Sequence, residues 1–354
     1  MSSRPQLSLQ DLSADEFSFI SEWGFPRFRA EQAYTAAQQM KSYAEMNIPK
    51  ELKEKLASVY VDRSVEIAET LRGRDGTEKY LYRLCDGNVI EGVFMPHNYG
   101  NTLCVSTQVG CRMGCKFCAS TLNGLVRNLT AGEILGQVLL VNALHGGTIK
   151  KRAVTNVVLM GSGEPLDNYD DVTKFLRLVS DERGLNVSLR NVSLSTCGLC
   201  DKIIALADSG LTVTLTISLH SPYDDKRSEI MPVNNKYNIA SVIEAAKYYL
   251  NKTGRRIIFE YSLIEGENCS VEDAEKLASL LRSFQCHVNL IRLNPVKERK
   301  LKGADKDSVK QFSDTLTQKG ISNTLRRSMG NDIEGACGQL RNKYLEAENK
   351  RADS

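Results

Sequence analysis

The stretch 111-CRMGCKFC-118 carries three cysteines at C-x3-C-x2-C spacing, with an aromatic residue just before the last and no fourth cysteine close behind. A cubane iron–sulfur cluster has four irons, and its usual protein ligation is four thiolates. Zinc asks for four nitrogen or sulfur ligands, usually in paired C-x2-C groups. No such pair sits at zinc-ribbon distance, and 197-CGLC-200 is a C-x2-C far downstream. The iron–sulfur reading with one open iron is therefore favoured. An open iron lets a substrate chelate the metal.

Outward from the cysteines, the pattern from about residue 101 alternates strands with helices. The strand candidates are 102-TLCVST-107, 155-TNVVLMG-161, 190-RNVSLST-196, 211-LTVTLTISL-219, 256-RIIFEYSLI-264 and 287-HVNLIRLNP-295. Between them, 131-AGEILGQVLLVNALH-145, 171-DVTKFLRLVS-180, 240-ASVIEAAKYYL-250 and 271-VEDAEKLASLLRS-283 read as helices. Thr130 with Glu133 fits a capping box, and Ser270 can cap the helix after the fifth strand. About six β–α units with apolar strands predict an α/β fold, a parallel sheet curved into a partial (β/α)6 barrel over residues 101–330. Upstream, residues 1–60 carry apolar residues at helical spacing and predict a small helical accessory domain. In residues 61–100, 65-VEIAETLRGRDGTEKYLYRL-84 alternates around the turn residues Asp75-Gly76, which predicts a β-hairpin connector. Residues 331–354 form a C-terminal segment with a polar tail.

In such sheets the site forms at the carboxyl ends of the strands. Cys111, Cys115 and Cys118 follow the first strand and 161-GSGEP-165 follows the second; Ser195 ends the third, 218-SLH-220 the fourth and Asn294 the sixth. That coincidence outweighs any single motif, since a Gly-rich turn or a lone histidine more often has only a structural role.

Composition sets the bounds. A chain of 354 residues with 42% hydrophobic and 25% charged residues is an ordinary globular protein. Its net charge of +3 is too weak to establish a nucleic-acid partner, so any RNA case rests on local patches. The N-terminus has no apolar segment of a signal peptide, and no run approaches a membrane span, so the expected compartment is the cytoplasm and no membrane is involved. In that reducing setting the ten cysteines point to metal binding or chemistry more than to disulfides.

The pattern C-x3-C-x-aromatic-C, met by Cys111, Cys115, Phe117 and Cys118, resembles the radical S-adenosylmethionine (SAM) superfamily. The resemblance implies that the three cysteines hold a [4Fe-4S] cluster whose open iron takes the amino and carboxylate groups of SAM. It implies that Gly163 and Glu164 hold the SAM ammonium group. Ser195 would bond the ligand's polar end, with Ser218, Leu219 and His220 lining the site and Asn294 near the ribose. Further words, TQVGC, MGSGEPLDN, LSTCG, SLHSP, MPVN and ACGQL, resemble the RlmN/Cfr family of RNA adenine methyltransferases from about residue 25 to 345. In that family's chemistry one SAM methylates the cysteine of ACGQL, here Cys337, and a second yields a radical that activates this methyl group. The methylene adds to an adenine ring carbon, and a glutamate matched by Glu91 removes the ring proton. Cys104 then attacks the Cys337 sulfur, releasing methylated RNA and leaving a Cys104–Cys337 disulfide. Cys85, Cys197, Cys200, Cys269 and Cys286 are taken as packing residues.

Proline after Gly-Glu in GEPLDN resembles the C2-methylating RlmN side of the family. Against it, 291-IRLNP-295 has arginine where many sequences on that side have proline, and SLHSPY also resembles the C8-methylating Cfr side, which confers antibiotic resistance. The resemblance thus implies a dual-specificity enzyme acting on C2 of adenosine in 23S rRNA and tRNA, using two SAM per turnover. It also implies an electron donor such as flavodoxin and a monomeric enzyme. The rival from another class is a non-catalytic iron–sulfur protein for RNA binding or electron transfer. Basic groups at 149–152, 254–256, 297–302, 325–327 and 341–343, with Arg29 and Lys41, are the candidate RNA contacts.

Overall fold

A computed structural model describes residues 5–293, 301–327, 329–333, 340, 341 and 344. Asn294, Cys337 and most of the C-terminal segment lie outside the described residues. The chain begins with short helices: α1 (Phe19–Glu22), α2 (Phe28–Gln38) and α3 (Lys50–Val59), the last entered through Pro49. Their apolar faces close on a small core of their own, with Leu9, Phe17, Ile20, Ala33, Leu52 and Leu56 at its centre.

Three antiparallel strands follow: β1 (Val65–Arg72), β2 (Glu78–Leu84) and β3 (Val89–Met95). The expected hairpin is therefore a three-stranded meander. It does not stop there, because β3 pairs antiparallel with β4 (Thr102–Cys104), the first barrel strand. A small hairpin of β5 (Gln108–Gly110) and β6 (Leu125–Asn128) projects next and carries the cysteine loop between its arms.

The β–α alternation then runs as α4 (Ala131–Leu144), β7 (Asn156–Leu159), α5 (Tyr169–Val179), β8 (Val192–Thr196), α6 (Cys200–Asp208) and β9 (Thr214–Ser218). It continues with α7 (Asp224–Ile230), α8 (Ile239–Thr253), β10 (Ile257–Leu263), α9 (Val271–Leu281), β11 (Cys286–Arg292), α10 (Lys306–Gln318) and β12 (Asn323–Leu325). Thr130 and Ser270 cap α4 and α9 in reciprocal capping boxes, as their spacing predicts. Strands β4, β7, β8, β9, β10, β11 and β12 pair in that order, each parallel to the next. β12 is a seventh parallel strand beyond the six that the sequence pattern predicts. It is short and half exposed, so it lacks the apolar run that marks the others.

Among the described residues the sheet is ten strands in one open order, with β1 at one edge and β12 at the other. Helices cover the outside over one continuous core that includes Leu135, Val157, Phe175, Leu194, Ile217, Phe259 and Leu290. Among the described residues no helix is long and apolar enough to cross a membrane.

Candidate active site

The cysteine loop is held at both ends before its side chains do anything. The β5–β6 ladder closes it, and the Cys111 N–H donates to the Gly124 carbonyl at 2.9 Å. The Thr121 hydroxyl donates to the carbonyls of Cys115 and Cys118, and the Lys116 N–H to that of Ile230. Cys115 sits in an apolar wall with Ile230, Met231 and Ile264, against which Phe117 and Cys118 also pack. Burial pushes the Cys111 thiol up to about 12, helped by charge on Cys118 and Glu164. Burial likewise raises Cys115, with Cys118 and Cys111 adding to the effect. Thiols so placed stay protonated unless a cation joins them, so the donor set suits a metal cofactor. Among the described residues no three His, Cys, Asp or Glu side chains converge as one ion would require. A cubane offers its irons at separate corners, so thiols that do not converge on one point fit it better than they fit zinc.

The 161-GSGEP-165 turn lies against this loop. Gly163 has φ +110°, and a Cβ there would come within 2.6 Å of the Gln108 Cβ, so only glycine suits the position. The Gln108 amide accepts the Glu164 N–H at 2.8 Å. The Glu164 carboxylate is buried and takes the N–H groups of Leu166 at 3.0 Å and Cys197 at 2.7 Å. Burial pushes its pKa above the ordinary carboxylate value, against the pull of those donors. The neighbouring Ser162 hydroxyl is buried with no partner among the described residues, an open polar group beside the expected SAM-binding turn.

Ser195 pairs in register with Thr216, and Ser218 with Glu260. Strand alternation puts Ser195 on the same face as Ser193, inside the barrel. Leu219 contributes only backbone, since its side chain is in the core. Its N–H donates to the Glu260 carbonyl, and its carbonyl accepts from Arg227. His220 takes a left-handed φ of 57° and is buried with the Phe117 ring edge-on at 4.6 Å. Its Nδ1 accepts the Ser262 N–H at 2.9 Å, and burial, assisted by the charge of Arg227, lowers its pKa to about 3. The histidine is therefore neutral, with its proton on Nε2.

Arg227 is a site residue that the sequence analysis missed. It is fully buried and donates to the carbonyls of Leu219, Tyr237, Cys197 and Ser218 and to the Asn234 side chain. One guanidinium thus ties the ends of β8 and β9 to α7. Within 224-DDKRSE-229 it reads as one more solvated charge, and only its tertiary partners distinguish it. Cys197, taken as packing, lends its N–H to Glu164 and its carbonyl to Arg227. Cys85 is exposed in the β2–β3 turn, where no core is available to pack it, which corrects that part of the reading.

A second group lies on the meander side. Glu91 of β3 and Cys104 of β4 are on adjacent strands, where Val93 pairs with Cys104. Lys79 of β2 reaches Glu91 at 3.2 Å, with side-chain exposures of 0% and 3%. Glu91 also accepts the backbone N–H of Arg341, whose Nε donates to the Val89 carbonyl. Leu340 packs on Leu81 and Val89. The chain just beyond Cys337 is therefore fixed to the strand that bears Glu91. Ser106 connects the two groups: its hydroxyl donates to the Glu91 carbonyl at 2.7 Å and accepts the Ser162 N–H at 2.9 Å. Among the basic residues, Arg152 is committed to the carbonyls of Leu185 and Asn186.

Known proteins match this arrangement. The pattern of the Radical SAM superfamily matches residues 105–281. A protein of Clostridium botulinum (strain Alaska E43 / Type E3) named "Probable dual-specificity RNA methyltransferase RlmN" is 50% identical over 350 residues, 98% of this chain and 99% of that one. The protein of the same name from Clostridium perfringens (strain 13 / Type A) is 49% identical over 96% of this chain and 98% of its own length. Among solved structures, a radical SAM methyltransferase from Sphaerobacter thermophilus superimposes with a TM-score of 0.89 and 40% identity, covering 94% of this chain and 98% of that one.

Proposed function

The chain belongs to the RlmN family of radical SAM RNA methyltransferases, and from that premise we propose that it methylates C2 of adenosine. The targets in this reading are an adenosine in the peptidyl-transferase region of 23S rRNA and the adenosine just 3′ of certain tRNA anticodons. The observation that carries it is the juxtaposition of Glu91 and Cys104 on adjacent strands with the buried Lys79, joined through Ser106 to the GSGEP turn. A C–H carbon of adenine is no nucleophile, so a methyl carrier and a proton acceptor must meet at one place.

When bound, the [4Fe-4S] cluster and SAM supply the methyl group and the reductive radical chemistry, with two SAM consumed per turnover. Cys111, Cys115 and Cys118 would hold the cluster, and three thiols would leave one of its irons open to SAM. Gly163 and Glu164 would receive its ammonium group, and Ser195, Ser218, Leu219 and His220 would line the rest of its pocket, with Asn294 assigned to the ribose by the family resemblance alone. Cys337 carries the methyl group to the base and is joined to it covalently. Glu91, with Lys79 as its buried counter-ion, accepts the ring proton. Cys104 then attacks the Cys337 sulfur, so that an S–S bond forms as the bond from that sulfur to the RNA-bound carbon breaks. The carbon takes a proton and the RNA is freed, and a thiol or dithiol donor reduces the Cys104–Cys337 disulfide before the next turnover. A flavodoxin-type carrier supplies electrons in this reading, and the enzyme works as a monomer.

The test uses two cysteine variants and the product. Cys104→Ala keeps the carrier and lacks the releasing thiol, so a denaturing gel should show protein joined to RNA until nuclease is added. Cys337→Ala and the double variant should show no such species. Mass spectrometry of RNA from a deletion strain complemented with the wild type should give 2-methyladenosine. An 8-methyl product would overturn the C2 assignment, and normal turnover by Cys104→Ala would overturn the mechanism.

A further inference from the structure

The turn between β1 and β2 does more than reverse the chain. It closes on itself, the Gly73 N–H donating to the Thr77 carbonyl at 2.7 Å and the Thr77 N–H to Asp75 Oδ1 at 3.0 Å. The other Asp75 oxygen, Oδ2, accepts the Gly330 N–H at 2.9 Å, across 255 positions of sequence. In return, Asp332 Oδ2 accepts the Arg74 N–H at 3.0 Å. Each carboxylate thus holds the other segment by its main chain, so what the pair fixes is the path of the backbone. The segments approach closely enough that a Cβ on Gly73 would come within 3.1 Å of Asp332 Oδ1. One on Gly330, at φ +62°, would come within 3.1 Å of the Thr77 methyl. The Gly330 N–H, followed by the bonds from Thr77, holds the Asp75 carboxyl below its ordinary pKa. An ionised carboxylate is the stronger acceptor for such donors.

Cys337 comes five residues after Asp332 and three before Leu340. Beyond it the chain is held a second time, by the same meander. Leu340 packs on Leu81 and Val89, Arg341 bonds to Glu91 and Val89, and Arg83 donates to the Tyr344 hydroxyl at 2.9 Å. Alternation puts Lys79 and Leu81 on one face of β2. Register sets Leu81 opposite Glu91, Lys79 opposite Val93, and Val93 opposite Cys104. Directly paired residues share a face, so Glu91 and Cys104 lie on the face that receives Leu340. One strand and its turn therefore meet the chain on both sides of Cys337 and also supply the counter-ion of Glu91.

A methyl carrier must meet SAM, the base and the Cys104 thiol in turn. Alignment of reacting groups supplies many powers of ten in such intramolecular steps, and a tether held at one end only would forfeit much of it. We propose that Asp75 and Asp332 are positioning residues for Cys337. They fasten the chain ahead of it to the β1–β2 turn, as Leu340 and Arg341 fasten it behind, so that both ends of the methyl-carrying segment are set by the meander that bears Glu91. This rests on the methyltransferase reading above and gives the turn a part in it.

The experiment uses the full-length, cluster-loaded enzyme with SAM, dithionite and a transcript of the peptidyl-transferase segment of 23S rRNA. It reads the 5′-deoxyadenosine formed per adenosine methylated. A loosened carrier still lets SAM be cleaved, so Asp75→Ala and Asp332→Ala should each raise that ratio by about 10- to 100-fold. Cluster absorbance and the urea midpoint should stay close to wild type. Asp332→Asn keeps an oxygen for the Arg74 N–H and should restore the wild-type ratio. Asp75→Asn keeps the turn but presents one oxygen where two are used, and should fall between wild type and Asp75→Ala. Without RNA, both alanine variants should also slow the methylation of Cys337 by SAM, followed as the mass of its peptide. A wild-type ratio in both alanine variants would overturn the proposal. So would parallel losses of SAM cleavage and methylation at an unchanged ratio, which mark a role in folding alone. If wild type methylates Cys337 but no adenosine of the transcript, the rRNA reading fails, and the Cys337 peptide still decides the positioning role.

Discussion

Two regions of the barrel treat charge in opposite ways. Around the cysteine loop, Arg227 spends its donors on four carbonyls and an amide, and Glu164 accepts two backbone N–H groups. Even His220 has its ring nitrogen and its backbone engaged. On the lining of a cavity in the barrel interior, Arg190 and Arg327 are exposed with no guanidinium partner among the described residues, and Tyr99 is largely bare. The first region is closed on itself, and a partner there can only complete it. The second is unfinished in side chain. Chemistry that must exclude water suits the former.

The strongest attack on the closed region removes the cysteines proposed as cluster ligands. Cys111→Ala, Cys115→Ala or Cys118→Ala should each abolish cluster assembly and all SAM cleavage, because three thiols leave none to spare. Absorbance and electron paramagnetic resonance after anaerobic reconstitution check this, and a normal cubane signal in any single variant would break the assignment. Next, Arg227→Met should destabilise the fold by roughly 3–5 kcal/mol in urea unfolding, since buried acceptors lose their donor together. A loss under about 1 kcal/mol would mean that this network is not what closes the region.

Smaller effects sharpen the contrast. Gly163→Ala should cost about 1–3 kcal/mol, as a left-handed backbone and contact with Gln108 both oppose a methyl group. Gly210→Ala, also left-handed at φ +76° but with open space around it, should cost less. The subtlest test is pH. His220 holds its pKa near 3 in the fold, whereas a histidine in the unfolded chain sits near 6.5. Its contribution is therefore complete above pH 6.5 and is lost as pH falls toward 3, because only the unfolded chain gains the proton. His220→Asn, which tolerates the left-handed backbone, should flatten the fall in denaturation midpoint between pH 7 and 5. An unchanged slope would remove His220 as its source.

Covalent spacing and hydrophobic period made much of this legible in sequence. The cysteine loop and the GSGEP turn are short contiguous words, and six of the parallel strands are apolar runs. What sequence could not reveal depends on partners far away in the chain. β12 borrows its strand geometry from β11, Lys79 hides in an alternating strand, and Ser106 acquires its role only when β3 and the GSGEP turn flank it. Arg227 is the extreme case. Its neighbours in sequence are charged and its neighbours in space are carbonyls.

The continuous pairing from β1 to β4 bears on how such a protein can be recombined. Glu91 belongs to the meander and Cys104 to the barrel, yet one set of backbone hydrogen bonds fixes their spacing. A crossover anywhere between residues 65 and 104 would join a strand from one parent to a ladder cut for another. The hairpin region therefore cannot be exchanged as a cassette. A functional chimera must inherit β1 through β4 as a block, together with the residues around Leu340 and Arg341 that rest on β3.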